Sequence, residues 1–443
     1  MANRHVIYIP QSHLSFKELS QKNIMPTPIV SNNKLRLLLD EMPGAASVAV
    51  NLCVLSGLRF EQPAQTGISH MMEHMLFKGT QSRTARQIAE EADDRGANLN
   101  AYTCKEYTCF YVRSLPEHLP AMLALLSDML NQSRLAAADL DMERGVVLEE
   151  IAMYEDLPEE LVFDLFYNMV WPDHMLGKNI LGTRESLAAL TADDLRTHLG
   201  HLYTPERMVI SVCGKFGSEE VRAQIEELFG QPPAGTEERH ATPSATFQPG
   251  IRFTHKAVEQ NQIVLAFPGC SGRDPKRYQA SLLSTMLGGS TSSRLFQRLR
   301  EELGLVYGVD FFNVHHMEEG ISGVSLGLGE KTQCKALAEV LKILREFPDT
   351  VTPQELRRAQ EQAAAGMVMG LESNAARASR AACNVLLYND LSPVEQSIAA
   401  YRAVTLEEIR EYAKELLDPA KLALCVLGKV GKKAEREMRG MVS

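Results

Sequence analysis

The chain has 443 residues, 45% of them hydrophobic and 23% charged, with a formal net charge of -10. These proportions are ordinary for a globular protein, and the length suggests about three average domains or two large ones. A nucleic-acid-binding protein normally carries a basic surplus, so the acidic balance argues against that class. No apolar run is long enough to cross a membrane, and no apolar signal segment stands near the start. We therefore expect a cytoplasmic protein.

In chain order, the predicted elements alternate between strands and long helices. Segment 67–77 favours a helix, because apolar residues recur at neighbouring positions and no internal glycine or proline interrupts them. Segment 98–112 is rich in Thr and Tyr and partly alternating, which favours antiparallel strands with one solvated face. The other predicted elements are a strand at 47–55, a helix at 115–130, a strand at 262–267 and a helix at 334–344. This alternation favours mixed layers of helix and sheet.

The chain also contains an internal repeat. Thr191 and Thr405 each begin a helix pattern with an acidic residue three positions later, which is the capping-box signature of a helix start. Both helix patterns lead to a proline, then to a short apolar strand, 208–212 or 422–427, and then to Gly-Lys. The spacings match, and the two units are 214 residues apart, close to half of the chain. Such a repeat indicates two duplicated domains.

Composition predicts a boundary between the two halves. Residues 231–238 combine Pro, Gly, Thr and charged residues without periodicity, which is typical of a linker. We therefore predict a first domain at 1–230, a linker at 231–248 and a homologous second domain at 249–443. Each domain is expected to be α+β, with a mixed, largely antiparallel sheet packed against helices.

The eight cysteines show no Cys-x-x-Cys spacing. Several stand inside apolar runs, for example Cys213 and Cys425. We interpret them as small buried side chains in a reducing compartment, without disulfides.

The most informative residues are His70, Glu73 and His74, which lie together in the predicted helix 67–77. Residues four apart share one face of a helix, so the two histidines offer their imidazoles to one metal ion. Zinc suits imidazole and carboxylate ligands, and a catalytic zinc site uses three protein ligands and leaves a fourth position for water. Glu73 lies on the same side and suits the general base that takes a proton from this water.

A third metal ligand is needed, because two histidines on one helix face also occur without a metal. Glu143 and Glu150 lie seven residues apart in another predicted helix and therefore on one face of it. By themselves these two glutamates would be interpreted as solvated surface residues, which is the usual position of Glu. Spacing alone leaves both interpretations open.

With these residues the sequence resembles the inverzincins, zinc metallopeptidases with an inverted H-x-x-E-H motif that include pitrilysin and insulin-degrading enzyme. Glu150 stands 76 residues after His74, at the place of the family's third zinc ligand. Glu143 stands at the place of a second glutamate that supports the site. The resemblance therefore implies one Zn²⁺ per chain, bound by His70, His74 and Glu150, with Glu73 as the catalytic base.

The resemblance extends over nearly the whole chain. Arg300 and Tyr307, seven residues apart in the second half, match an Arg and a Tyr that bind substrate near the zinc in this family. The size fits the short two-domain bacterial type, which resembles the β subunit of mitochondrial processing peptidase. A further match is an edge strand that binds substrate by main-chain hydrogen bonds, here Asn98, Asn100, Ala101, Tyr102 and Thr103.

The resemblance implies a fold that forms half of a clam-shaped peptidase chamber, and an endopeptidase that cleaves unfolded or short peptides. Tyr307 would stabilise the oxyanion, and Arg300 would hold substrate carbonyls. The chamber of this family contains four domains and this chain has two. We therefore expect a homodimer with composite sites, in which Arg300 and Tyr307 of one subunit complete the zinc site of the other. A heterodimer with an inactive relative is the alternative arrangement.

Other interpretations of the sequence compete with the peptidase. Some relatives have lost zinc ligands, so a non-catalytic peptide-binding or scaffold subunit is the alternative, but this chain keeps the whole ligand set. The glycine-rich segment 287–290 lacks the Gly-Lys-Ser/Thr ending of a phosphate loop. His315 and His316 are interpreted as a surface pair, because no third ligand accompanies them. We expect neither a nucleic-acid nor a membrane partner.

Overall fold

The computed structural model describes residues 28–230 and 244–442, so most of the predicted linker lies outside the described residues. The strands of the first half are β1 (Ile29–Val30), β2 (Arg36–Glu41), β3 (Val48–Val54), β4 (Asn98–Thr103), β5 (Thr108–Ser114) and β6 (Met208–Gly214). The strands of the second half are β7 (Gly250–His255), β8 (Asn261–Gly269), β9 (Val306–His315), β10 (Gly320–Leu328) and β11 (Ala423–Gly428).

Helices surround these strands. Those of the first half are α1 (Ile68–Leu76), α2 (Ala85–Asp93), α3 (Leu119–Asn131), α4 (Ala137–Asp156), α5 (Pro158–Val170), α6 (Arg184–Ala189), α7 (Ala192–Leu202) and α8 (Ser218–Phe229). Those of the second half are α9 (Arg277–Leu287), α10 (Gln333–Thr350), α11 (Pro353–Gly370), α12 (Asn374–Cys383), α13 (Val394–Ala403), α14 (Leu406–Leu416) and α15 (Lys432–Val442). Two π-helical segments, Phe296–Glu302 and Asn384–Tyr388, and several three-residue 3₁₀ turns complete the described helices.

The first sheet has six strands in the order β1-β2-β6-β3-β5-β4. β2 and β6 run parallel, and every other neighbouring pair is antiparallel. β3 and β6 are buried at every position, because helices cover both faces at the centre of the sheet. β4 stands at the end of the strand order, so within the described residues one of its edges has no strand partner. The edge strand expected at 98–103 is therefore present.

The second sheet repeats the first. Its five strands have the order β7-β11-β8-β10-β9, with β7 and β11 parallel and the other pairs antiparallel. This order corresponds strand for strand to β2-β6-β3-β5-β4, and β1 is the one addition among the described strands. The predicted α+β fold with two duplicated sheets is confirmed.

The repeated units also begin as predicted. Thr191 precedes α7 and Thr405 precedes α14, and each threonine hydroxyl accepts the backbone N–H of the acidic residue three positions later. The acidic side chain in turn accepts the backbone N–H of the threonine, which completes a capping box. The helices lead to the central strands β6 and β11, so the local signals place equivalent elements in both halves.

Each half places one helix on the sheet of the other half. α5 comes from the first half and packs on β8 and β11 of the second sheet, where Phe166 is fully buried. α12 comes from the second half and packs on β3 and β6 of the first sheet, with Ala382 in the same apolar cluster as Cys53. The two halves are therefore interleaved, a feature that the sequence patterns did not predict.

A buried ion cluster also joins the halves. The guanidinium of Arg59 donates to both oxygens of Glu319, at 2.6 and 3.2 Å, and to Glu106 at 3.1 Å. Oε2 of Glu106 also lies 3.4 Å from Nδ1 of His316. His316 is buried, so the interpretation of His315 and His316 as a surface pair was wrong for His316. The turn between β9 and β10 folds back onto the first half, and this long-range contact buries the ring.

All eight cysteines are free thiols, four of them buried. Among the helices of the described ranges, none is both long and apolar enough to cross a membrane.

Candidate metal centre

Helix α1, which carries His70 and His74, begins in a tight turn. Gly67 caps the helix with φ of 93°, a left-handed conformation that residues with a side chain rarely adopt. A Cβ on Gly67 would lie 2.6 Å from the carbonyl oxygen of Leu181, and a Cβ on Gly182 would lie 2.3 Å from another backbone oxygen. The two glycines therefore allow segment 181–183 to pack directly against the start of α1.

Glu61 and His198 hold the first turn of α1. The Glu61 carboxylate accepts the backbone N–H groups of Gly67 at 2.8 Å and Ser69 at 2.9 Å, which satisfies two free donors of the helix start. Burial raises the pKa of Glu61 to about 7, although these hydrogen bonds favour its charged form. Nε2 of His198 lies 3.0 Å from the Ser56 hydroxyl and 3.4 Å from the Ser69 hydroxyl. The helix that carries the candidate ligands is therefore anchored independently of a metal.

Three side chains form the candidate metal centre: His70 and His74 from α1 and Glu150 from α4. One ligand atom from each lies within 4.8 Å of the other two. Among the described residues, these three form the one group of His, Cys, Asp or Glu side chains that meets this criterion. Oε2 of Glu150 lies 3.6 Å from Nε2 of His70 and 3.7 Å from Nε2 of His74. Zinc bonds of about 2.0–2.1 Å in a tetrahedron give ligand separations of about 3.4 Å, close to those observed.

Protonation and hydrogen bonding also fit a metal ion. Burial, together with the neighbouring His74, lowers the pKa of His70 to about 4, so at neutral pH its imidazole has a lone pair for a metal. Oε2 of Glu150 is buried and has no hydrogen-bond partner among the described residues. A buried carboxylate oxygen without a donor is unfavourable, and a cation between the three ligands would satisfy it. The residues therefore fit the zinc ion that the motif predicts.

Glu143 lies behind His74, on the buried face of α4. Its Oε2 accepts a hydrogen bond from Nδ1 of His74 at 3.0 Å, and its Oε1 lies 2.6 Å from the ammonium of Lys78. Burial opposes the charge of Glu143, but the hydrogen bonds from Lys78 and His74 outweigh it and hold the pKa of Glu143 below its usual value. This hydrogen bond fixes the orientation of the imidazole, so that Nε2 of His74 faces Glu150.

Glu73 lines a cavity together with His70. Its Oε2 accepts a hydrogen bond from the hydroxyl of Thr103 in β4 at 2.5 Å. Burial raises the pKa of Glu73 above its usual value, against the opposing effects of Thr103 and His74. A raised pKa makes the carboxylate a better proton acceptor, as a general base requires. Thr103, which was predicted to bind substrate, therefore contacts the candidate base.

The cavity beside the metal centre has a volume of about 430 Å³. Residues 101–103 of β4 form one wall, next to His70 and Glu73. Helix α5 and the segment before α6 form the other wall, with Glu160, Phe163, Asp164, Tyr167, Asn179, Ile180 and Leu181. The cavity is therefore a concave, partly apolar space next to the candidate base.

The predicted substrate-binding residues of β4 point in different directions. Ala101 packs against the core of the first half, on the same face as Thr103. Tyr102 belongs to the apolar cluster on the opposite face, where its ring contacts two nearby tyrosines. Asn98 and Asn100 are exposed and do not line the cavity. The structure therefore brings residues 101–103, but not the two asparagines, to the metal centre.

Arg300 and Tyr307 lie in the second half. Arg300 is in the π-helical segment Phe296–Glu302, and Tyr307 is near the start of β9, at the edge of the second sheet. The guanidinium of Arg300 lies 5.0 Å from the centre of the Tyr307 ring. Tyr307 is 81% exposed, and neither residue lines the cavity beside His70. Within one chain the pair therefore forms a separate, solvent-exposed surface.

Sequence analysis missed several ionisable residues near the metal centre: Glu61, Lys78, Lys105 and His198. The ammonium of Lys105 donates to two backbone carbonyls of segment 176–178, at 2.8 and 3.1 Å, and burial lowers its pKa to about 8. None of these residues belongs to a motif. The one available signal was proximity, since Lys78 closely follows the histidine motif and Lys105 closely follows β4.

Comparison with known proteins identifies the family of the chain. Residues 36–184 match the family model "Insulinase (Peptidase family M16)", and residues 189–363 match the model "Peptidase M16 inactive domain". The uncharacterized zinc protease YmxG of Bacillus subtilis is 36% identical over 387 residues, covering 87% of this chain and 94% of its own length. The uncharacterized zinc protease SCO5738 of Streptomyces coelicolor is 33% identical over 424 residues, covering 92% and 91%.

Solved structures share the fold. A protease from Helicobacter pylori has a TM-score of 0.84 at 20% identity, over 91% of this chain and 100% of its own. A peptidase M16 inactive domain protein from Pseudomonas fluorescens has a TM-score of 0.85 at 19% identity, over 91% and 98%. At such low identity these likenesses show the fold alone.

The α+β fold with two duplicated sheets, the candidate metal triad of His70, His74 and Glu150, and the similarity to proteins named zinc proteases together indicate a class of protein, the metalloproteases. Within that class, the chain belongs to peptidase family M16, the insulinase family, and to its short bacterial type.

Proposed function

We propose that the protein is a zinc-dependent endopeptidase that cleaves unfolded or short peptides and binds one zinc ion per chain. One observation carries the proposal: three metal ligands and a separate carboxylate converge beside an open edge strand. The ligand atoms of His70, His74 and Glu150 lie within 4.8 Å of one another, and Glu73 lines the adjoining cavity with β4.

The residues of the site suit peptide hydrolysis. Zinc, when bound, supplies a Lewis acid that polarises a peptide carbonyl and lowers the pKa of water. Glu73 would take the proton of the attacking water and later give it to the leaving amine. The hydroxyl of Thr103 holds one oxygen of Glu73, which leaves the other oxygen for the proton. Glu143 holds the imidazole of His74 through Nδ1.

Substrate would bind as an additional strand on β4. An edge strand presents unpaired N–H and C=O groups, and an extended peptide satisfies them by main-chain hydrogen bonds. Such pairing requires an extended backbone and little particular sequence, which is the reason for proposing unfolded or short peptides. One substrate side chain would then enter the cavity of about 430 Å³ beside Glu73.

We also propose that the working enzyme is a homodimer with composite sites. Arg300 and Tyr307 form an exposed pair outside the cavity lining of their own chain. In the proposed dimer this pair would face the cavity of the other subunit, where Tyr307 donates to the oxyanion and Arg300 to substrate carbonyls. A heterodimer with an inactive relative would supply the pair in the same way.

Zinc content and cleavage of a quenched, unstructured peptide test the enzymatic proposal. We expect about one zinc ion per chain, together with cleavage that a chelator stops and added zinc restores. Glu150→Gln should lose zinc, whereas Glu149→Gln, a matched change at the adjacent exposed glutamate, should keep it. Failure of the purified chain to bind zinc would overturn the proposal. Zinc binding without cleavage would instead favour the non-catalytic peptide-binding subunit.

Complementation tests the composite sites. Glu73→Gln and Tyr307→Phe chains, each inactive alone, are mixed under conditions that allow subunits to exchange. In a mixed dimer, one site combines the intact Glu73 of the Tyr307→Phe chain with the intact Tyr307 of the Glu73→Gln chain. Part of the wild-type activity should therefore return. Absence of recovery despite demonstrated exchange would mean that each site is complete within one chain, and the dimer proposal would fail.

A further inference from the structure

We propose that Lys78 is a positioning residue of the metal centre: its ammonium holds Glu143, and Glu143 in turn orients the imidazole of His74. This inference rests on the zinc site of the proposed function and extends that site to a residue outside the H-x-x-E-H motif. Lys78 stands four positions after His74, beyond the end of α1.

The backbone holds Lys78 close to the metal centre. Its N–H donates to the carbonyl of Met75 at 3.1 Å, and its own carbonyl accepts the side chain of Arg134 at 3.2 Å. From this position the ammonium lies 2.6 Å from Oε1 of Glu143. His74, in the last turn of α1, donates to the other oxygen of the same carboxylate at 3.0 Å. Glu143 therefore bridges two groups that belong to one end of α1.

The environment of Glu143 explains why a second partner is needed. Glu143 is 5% exposed and shares the buried face of α4 with Val147 and Ile151. His74 supplies one donor to one oxygen, whereas a buried carboxylate requires donors on both. Lys78 supplies the second donor and the opposite charge, which offsets much of the cost of burying the carboxylate. Without Lys78 the carboxylate would lose the contact that fixes its rotation and keeps Oε2 aimed at His74.

The two histidine ligands differ in their support. Nδ1 of His70 is buried and has no hydrogen-bond partner among the described residues, whereas Nδ1 of His74 donates to Glu143. In the described part of the chain, Glu143 is therefore the one side chain that holds a histidine ligand by a hydrogen bond to its Nδ1. Partners of this kind fix the orientation of a ligand ring, and their loss typically weakens metal binding about 10–100-fold.

A double-mutant cycle on zinc affinity tests the inference. The dissociation constant for zinc is measured by chelator competition for the full-length wild type, Lys78→Met, Glu143→Gln and the double variant. We expect Lys78→Met to weaken zinc binding about 10–100-fold. The double variant should bind no more weakly than Glu143→Gln alone, because Lys78 acts through Glu143. Lys78→Arg keeps the charge and the donors and should recover most of the affinity.

Two further measurements separate positioning from a general effect on stability. The visible spectrum of the Co²⁺-loaded protein should change in Lys78→Met, because the geometry around the ion depends on the His74 ring. Lys276→Met is a matched control, since Lys276 also lies 2.6 Å from a glutamate oxygen, that of Glu415, at the surface of the second half. This control should leave zinc affinity and the Co²⁺ spectrum unchanged.

Three results would overturn the inference: wild-type zinc affinity in Lys78→Met, additive losses in the double variant, or an equal loss in Lys276→Met. A lowered Tm of Lys78→Met with unchanged zinc affinity would assign Lys78 to stability alone. The proposed function fails separately, if the wild type itself binds no zinc.

Discussion

Replacing Glu73 by Gln tests the proposed chemistry directly, because the change removes a proton acceptor and keeps the shape of the side chain. The amide oxygen would still accept the hydrogen bond from the Thr103 hydroxyl that Glu73 accepts at 2.5 Å. Glu73 does not belong to the group of metal ligands formed by His70, His74 and Glu150. The fold and the zinc affinity should therefore survive the substitution.

The expected loss follows from the role of the residue. A positioned general acid or base contributes about 10²–10⁴-fold to a rate, which corresponds to about 3–5 kcal/mol of activation free energy. The raised pKa of the buried Glu73 makes it a better proton acceptor than an exposed glutamate. We therefore expect kcat to fall about 10²–10⁴-fold, with KM and zinc content close to those of the wild type.

The assay compares zinc-loaded Glu73→Gln with the wild type on the quenched peptide, with zinc content and Tm measured on the same samples. Glu149→Gln is the matched control, since it makes the same change at an exposed glutamate and should retain full activity. Thr103→Val keeps the base but removes its hydrogen bond, so a smaller loss is expected. Less than a tenfold loss of kcat in Glu73→Gln would refute its role as the base, and loss of zinc would make it a metal-supporting residue instead.

Three further predictions concern stability. Burial lowers the pKa of His198 to about 3 in the fold, whereas the ordinary value is 6.5, so the unfolded chain gains a proton first as the pH falls. The free energy of unfolding should therefore fall by about 1.4 kcal/mol from about pH 8 to about pH 5.5 because of this residue. In urea unfolding, His198→Gln should show a pH dependence that is smaller by this amount. An unchanged pH dependence in the variant would contradict the prediction. Arg59→Met leaves Glu106 and Glu319 buried without their cation. The substitution should lower the free energy of unfolding by about 3–5 kcal/mol in the same assay, more than Glu319→Gln does. A loss under about 1 kcal/mol would contradict the burial argument. A fragment 28–230 lacks α12, so the apolar face of its sheet that α12 covers would be exposed to solvent. The fragment should therefore bind a hydrophobic dye and aggregate. Cooperative unfolding of the fragment as a monomer would show that the first half folds stably without α12.

The parts of the molecule that the sequence predicted depend on residues close along the chain. The spacing of His70 and His74 places both imidazoles on one face of any helix, and α1 is that helix. The capping boxes at Thr191 and Thr405 join groups three residues apart, so they formed where the pattern predicted. Glu150 needed more than spacing, because a glutamate on a helix face is usually solvated. The family resemblance named it, and the packing of α4 against α1 places its Oε2 3.6 Å from His70.

The tertiary structure alone decided which distant groups meet. Lys78 follows the end of α1 and Glu143 belongs to α4, and nothing in either local pattern indicates that one carboxylate bridges Lys78 and His74. The burial of His316 and the exchange of α5 and α12 between the sheets likewise depend on how whole layers pack. The periodicity of a segment specifies which of its faces is apolar, but not which surface covers that face. That choice is made by the burial of apolar area and the pairing of buried charges over the entire fold, which are sums over residues far apart in the chain.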